Sequence, residues 1–142
     1  MPERTQQKST KTVEFSNLGR RVVEGRFDGA SMTSDGGVML LNETDRKLGL
    51  TQAAARCIPD PRSPLLITHA VRDMLRQRVY GLALGWEDLN DHKDLRLDVA
   101  MQTAVGVDRE VASAPTLCRL ESWSDRTTAV DLHKVLVEQF IA

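Results

Sequence analysis

The chain has only two cysteines, Cys57 and Cys118, far apart and without metal-ligand spacing. Neither a disulfide framework nor a zinc site is expected, and two free thiols in a reducing cytoplasm is the plain reading. No stretch approaches the roughly 18 consecutive apolar residues that a membrane span requires. The polar start, Met1 to Lys11, has no apolar h-region, so secretion is not expected. An excess of one charge is missing as well, with 19 basic against 20 acidic residues and a net charge of −1. That argues against a strong nonspecific nucleic-acid binder, whose domain pI usually exceeds about 9. There is no glycine-rich phosphate loop, no zinc pattern and no nucleophile elbow. The acid-rich run Glu87 to Asp94 fails as a calcium loop. With Asp88 first, Lys93 stands where glycine is needed and Val99 where the bidentate glutamate belongs. It reads as capping and solvated loop. Asp28, Asp35 and Asp45 are scattered, with no partner at a defined spacing, and Asp35 in Ser34-Asp35-Gly36-Gly37 reads as a turn residue.

What is present suits one domain able to bury a core: 142 residues, 41% hydrophobic and 27% charged. The near-neutral total conceals uneven placement. Residues 62–78 carry Arg62, Arg72, Arg76 and Arg78 against Asp73 alone, whereas 87–98 carry five acids against Lys93 and Arg96. A basic face is compatible with that pattern. Val22 to Phe27 and Gly37 to Leu41 read as two strands of a hairpin around a loop at 30–36. The second run is short enough to be helical instead.

From Asn42 the periodicity becomes helical. Gly49 stops one helix, and Thr51 caps a short second one. Ser63-Pro64 predicts the start of a long amphipathic helix to about Leu84, with Ile67, Val71, Met74, Leu75 and Leu82 on its apolar face. Further helices are expected at 95–105, ended by Gly106, at 114–122 after Ala114-Pro115, and from Ser124 or Thr127 onward, with Ala129, Leu132, Leu136 and Phe140 on one side. The predicted fold is α+β, mainly α: an N-terminal β-hairpin packed on five or six helices, with an exposed apolar patch. Residues 1–18 are expected to be a disordered basic tail and 19–142 the domain.

Two constellations suit DNA. On the 64–84 helix, His69, Arg72 and Arg76 fall on one stripe, with Tyr80 at its end and Arg78 in support. Guanidinium groups bind phosphate bidentately, and an aromatic ring stacks on bases. The competing reading is a solvated face paired with the acids of 87–98. In the second, Thr116 and Arg119 lie near the start of the 114–122 helix, where the reading helix of a helix-turn-helix would contact base edges. The 95–105 helix would support it, although the connection from Gly106 to Ser113 exceeds the usual turn of about 3–4 residues. A plain core helix is the alternative.

Four stretches occur in a telling order. Phe27-Asp28-Gly29 leads on to Thr33 to Leu41, then come Asp60-Pro61-Arg62, Met74 to His92, and Ala114 to Glu121. Together they resemble the N-terminal region of bacterial DDE-type insertion-sequence transposases, of the group named after insertion sequence thirteen-eighty. The resemblance implies a ribonuclease-H-like catalytic domain in the full-length enzyme, with three carboxylates holding two divalent metals that activate water or a 3′ hydroxyl against a phosphodiester. It places the first of those aspartates beyond a helix like the one ending at Val137 to Ala142. The chain would then be an N-terminal DNA-binding and assembly domain, truncated before the catalytic domain. It would have no catalytic or metal-binding residue of its own, Mg2+ being needed only by the full-length enzyme. The implied partners are double-stranded DNA at transposon ends and a second copy or full-length transposase, with no membrane. The implied location is the bacterial cytoplasm, at the nucleoid. The other function class left open is an interaction or oligomerisation module that binds no DNA.

Overall fold

The computed structural model describes residues 12–26 and 34–141. Within them a two-stranded antiparallel hairpin precedes seven helices, so the α+β, mainly α class holds. The hairpin pairs β1 (Thr12–Glu14) with β2 (Glu24–Arg26), in the register Val13 opposite Gly25. A bridge between Leu18 and Arg21 closes its tip, and Gly19 takes the positive φ of 55° that a two-residue turn requires. Gly25 lets the Phe15 ring lie against the backbone, for an added Cβ would meet Phe15 Cε2 at 3.1 Å.

The partner of the Val22 to Phe27 strand therefore differs from the expected one. It is 12–14, drawn from the stretch assigned to the tail, while Phe27 itself and the predicted turn Asp28-Gly29 lie outside the described residues. The other run is helical: a 3-10 turn at Ser34–Gly37 leads into α1, Val38–Leu48. The reason is the spacing of the positions that turn inward. Val38 and Asp45 are buried and Leu41 and Asn42 half-buried, a three- and four-residue spacing that only a helix directs toward one side.

The stops read from the sequence are in place. Gly49 takes φ 69° and donates its N–H to Asp45 O, ending α1 before α2, Leu50–Ala55. Gly106 takes φ 97° after α5, Val99–Val105. Other boundaries moved. The Ser63-Pro64 start makes only a 3-10 turn, Pro64–Leu66, and α3 begins at Val71 and runs to Ala83. Extended backbone at Ile67 separates the two, so His69 precedes the helix instead of sharing its stripe. The expected 95–105 helix is two pieces, α4 (His92–Leu95) and α5, the latter capped by Asp98, whose carboxylate accepts from Met101 N at 2.6 Å. Asp88 caps the turn before α4. α6 is Ala114–Ser122, and α7 is Arg126–Ile141, with Asp125 accepting from Thr128 N.

α3 is the axle. Tyr80 sits in one apolar cluster with Val38, Leu95, Met101 and Val105, and Met74 sits in another with Ile58, Ala112, Leu117 and Leu120. α1, α2, α5 and α6 all pack on it. α7 lies against α2 and buries only Thr128 fully. Leu136, Phe140 and Ile141 remain exposed, as the predicted apolar patch requires. Gly81 of α3 is a point of close approach, since a Cβ there would lie 2.8 Å from His92 Cε1. Glycine to alanine inside a helix ordinarily stabilises by about 1 kcal/mol. Here the buried His92 ring blocks it, and overpacking costs about 1–3 kcal/mol. Gly81→Ala is therefore expected to lower the urea midpoint, with a net loss of up to about 2 kcal/mol. A raised midpoint would show that the His92 ring yields.

Candidate nucleic-acid interface

The arginines of α3 divide into two environments. Arg72, in the first turn, is 44% exposed in its side chain and pairs with its neighbour Asp73 at 3.0 Å. Arg76 is only 15% exposed. Its Nε donates to Thr51 Oγ1 at 3.1 Å and lies 3.4 Å from an Asp45 carboxylate oxygen, and its Nη1 donates to Val105 O at 3.4 Å. The two positions are one turn and about 40° apart on the helix. That rotation, with α2 and α5 packed over the second turn, converts a solvent-facing cation into an internal one.

Tyr80 is internal too. It is 2% exposed, and its hydroxyl donates to Asp45 at 3.0 Å. Burial, then the Asp45 charge, pushes its phenol far above the usual range. In this fold its ring is packed in the core and offers no face for a base to stack on. Arg78 lies beneath the α6 end of the molecule. Nε donates to Glu121 at 2.8 Å and Nη1 to Glu87 O at 2.9 Å, with a side chain 17% exposed. No carboxylate of 87–98 pairs with these arginines: Glu87 contributes only its backbone carbonyl, and the carboxylates are those of Asp73, Asp45 and Glu121.

α6 carries Thr116 in its first turn and Arg119 about one turn later, in its last turn. Thr116 is half-buried, and its hydroxyl shares a 3.0 Å hydrogen bond with that of Ser113. Arg119 is exposed, donates to Pro115 O, and has no carboxylate partner among the described residues. The element beneath α6 is α3 together with the Leu89–Asp91 turn, so the helix-turn-helix pairing with the 95–105 segment gives way to a different support.

Sequence reasoning missed the polar centre between the two apolar clusters. Gln77 is fully buried, and its side-chain amide makes a two-way bond to Ala112, donating to the carbonyl and accepting from the N–H, both at 2.9 Å. The same Nε2 also donates to His92 Nδ1 at 3.2 Å. The signal was legible: a lone glutamine between Met74 and Tyr80 on a helix's apolar face must find partners. Arg109, which donates to Thr68 O, was missed as well, and only the folded chain brings 109 to 68.

The amide's fixed orientation sets the state of His92. Its Nδ1 must accept from Gln77, and Arg78 Nη1, which can only donate, lies 3.5 Å from Nε2, so a second proton on the ring would face a donor on either side. Burial, then the Arg78 charge, holds its pKa below the ordinary 6.5. His69 is lowered in the same direction, by burial and then Arg109. A histidine whose folded pKa is depressed binds fewer protons folded than unfolded below about 6.5. Stability is therefore full above that pH and declines as pH falls toward the depressed value. Urea midpoints measured from neutral pH downward should show that loss, and His69→Gln should retain most of it. A profile flat from about pH 7 to about pH 5 would count against the assignment.

Taking Arg76 away should leave Asp45 buried without its cation. Arg76→Ala is expected to cost about 3–5 kcal/mol, as removal of one partner of a buried pair does. Arg72→Ala should stay within about 0.5 kcal/mol of the parent, as surface changes do. Equal effects in chemical denaturation would contradict the division between the two arginines.

Neither the curated proteins nor the solved structures give a match to this chain. The family described as transposase DDE domain, group 1, matches residues 15–142, from just after β1 through α7, and the chain belongs to that family.

Proposed function

We propose that the chain works as an N-terminal module of a DDE transposase of the insertion sequence thirteen-eighty group, binding transposon-end DNA and helping to assemble the transposition complex. Membership of the transposase family supports the setting. The observation that carries DNA contact is Arg119, an exposed cation without a carboxylate partner among the described residues, on the same short helix as Thr116. Arg72 is the phosphate contact on α3, since its bond to Asp73 is exposed and exchangeable. Arg76, Arg78 and Tyr80 act behind this surface as supports. The work is done in the bacterial cytoplasm, on nucleoid DNA.

DDE chemistry needs carboxylates gathered around divalent metals. Among the described residues no three His, Cys, Asp or Glu side chains come together as a metal site. Among the same residues, no helix is long and apolar enough to cross a membrane.

Shift assays with transposon-end duplexes test the reading. Binding should weaken steeply with salt. Arg72→Ala should reduce affinity for all sequences and lower the salt slope by about 1, whereas Arg119→Ala should cost about 1–3 kcal/mol at one base pair and relax preference there. Salt-insensitive or absent binding by the parent chain would remove the proposal. A second reading, an interaction module without DNA binding, is favoured by one observation, the exposed Leu136, Val137, Phe140 and Ile141 of α7. Co-elution with full-length transposase in the absence of any DNA shift would establish that reading instead.

A further inference from the structure

The most exposed apolar side chains outside α7 lie together on the Pro64–Leu66 turn. Leu65 is 94% and Leu66 79% exposed, with Ile67 behind them. Two leucines held outward on a proline-started turn gain nothing from the core, and a soluble surface ordinarily avoids such a pair. Their mounting is firm. Arg62 is bonded to Asp60 through two nitrogens at 2.8 Å, and its guanidinium lies over the Trp123 ring at 4.9 Å. On the other side of the turn, Arg109 donates to Thr68 O.

Charge decides what this projection fits. Of the acids near it, Asp60 and Asp73 are engaged by Arg62 and Arg72, and Asp108 is exposed beside Arg109. Glu110 is engaged by Arg96. Arg109 bonds only a backbone carbonyl, and it has no carboxylate partner among the described residues. Arg119 is likewise without one, and it lies one turn before Trp123, the ring on which Arg62 rests. The depressed pKa of His69, caused by burial and then by Arg109, Arg96 and Arg62 in that order, with Asp73 opposing, agrees that cations crowd this loop. An apolar tip in a loop that Arg109 bonds, with Arg119 also lacking a carboxylate partner among the described residues, suits a polyanion that opens to admit apolar side chains.

We propose that the Pro64–Leu66 turn is a wedge that inserts Leu65 and Leu66 between base steps of duplex DNA, with Arg109 holding an adjacent phosphate and Arg119 keeping its contact with a base edge. Wedges of this kind partly unstack a step and kink the duplex. The inference rests on the DNA-binding reading and adds a deformation to it. It predicts that flexible or already opened steps are preferred, because their unstacking cost is lower.

The experiment compares two short duplexes of one sequence, one fully paired and one with a single central mismatch beside a 2-aminopurine. The parent chain should bind the mismatched duplex about tenfold tighter and raise the 2-aminopurine fluorescence. Leu65→Ser/Leu66→Ser should bind both duplexes equally, without the fluorescence rise. Its thermal midpoint should be unchanged, because both side chains are in solvent. A double variant that keeps the mismatch preference overturns the wedge. So does a parent chain that binds both duplexes alike, and salt-sensitive binding in that case leaves the DNA reading standing. A parent chain that binds neither duplex brings down the DNA reading before the variant is needed. If the variant loses only association with phosphatidylserine vesicles or with itself, the turn serves another partner and the wedge is wrong.

Discussion

One buried carboxylate organises the helices. Asp45 in the last turn of α1 accepts from the backbone N–H of Thr51 at 2.8 Å, from the Thr51 hydroxyl, and from the Tyr80 hydroxyl at 3.0 Å, and it faces Arg76 at 3.4 Å. Those partners come from α2 and α3, and Arg76 extends the link to Val105 of α5. A charge taken out of water is costly unless every lone pair is met. Here it is met by donors from two neighbouring helices, so the arrangement of α1, α2 and α3 is specified by geometry as well as by apolar area. Moving any one of them by a helical turn would strand the carboxylate. The Gln77–Ala112–His92 set does the same for the segment that leads into α6.

That centre explains which parts of the fold could be read from the sequence. Signals held by one or two residues were legible. Gly49 and Gly106 end helices because only glycine takes their positive φ cheaply, and Pro115 opens α6 because its missing N–H costs nothing there. Signals that depend on distant neighbours were not. Val38 to Leu41 is apolar enough for a strand, and only the burial of Asp45 seven residues on reveals the helical face. Ser63-Pro64 has the form of a helix start, yet the chain is extended at Ile67, and Arg109 from far along the sequence bonds Thr68 O in that stretch.

The candidate surface was legible in the same uneven way. An arginine stripe on a helix is visible to any wheel, but the wheel does not show where α2 and α5 lie. Arg72 and Arg76 have the same residue type and lie one turn and about 40° apart, yet one faces water and the other closes an internal ion pair. Tyr80 looked like a stacking group because it ended a basic stripe. It is instead a donor to Asp45, and its ring fills the first apolar cluster. Arg119 kept its expected exposure because α6 has only one buried side, through Leu117 and Leu120, and Arg119 falls away from it.

The division of labour among the arginines has a consequence for specificity. A cation already committed to a buried carboxylate cannot be recruited by phosphate without exposing that carboxylate, which costs several kcal/mol. A cation resting on a backbone carbonyl can be recruited at the cost of one exposed hydrogen bond, about 1 kcal/mol. Arg119 and Arg109 are of the second kind and Arg76 of the first. With a net charge of −1, the chain has no general attraction to DNA to spend on nonspecific sites. Whatever affinity it has must therefore come from a few well-placed groups, and the loss of any one should be felt more than in a strongly basic domain, where neighbouring charges would compensate.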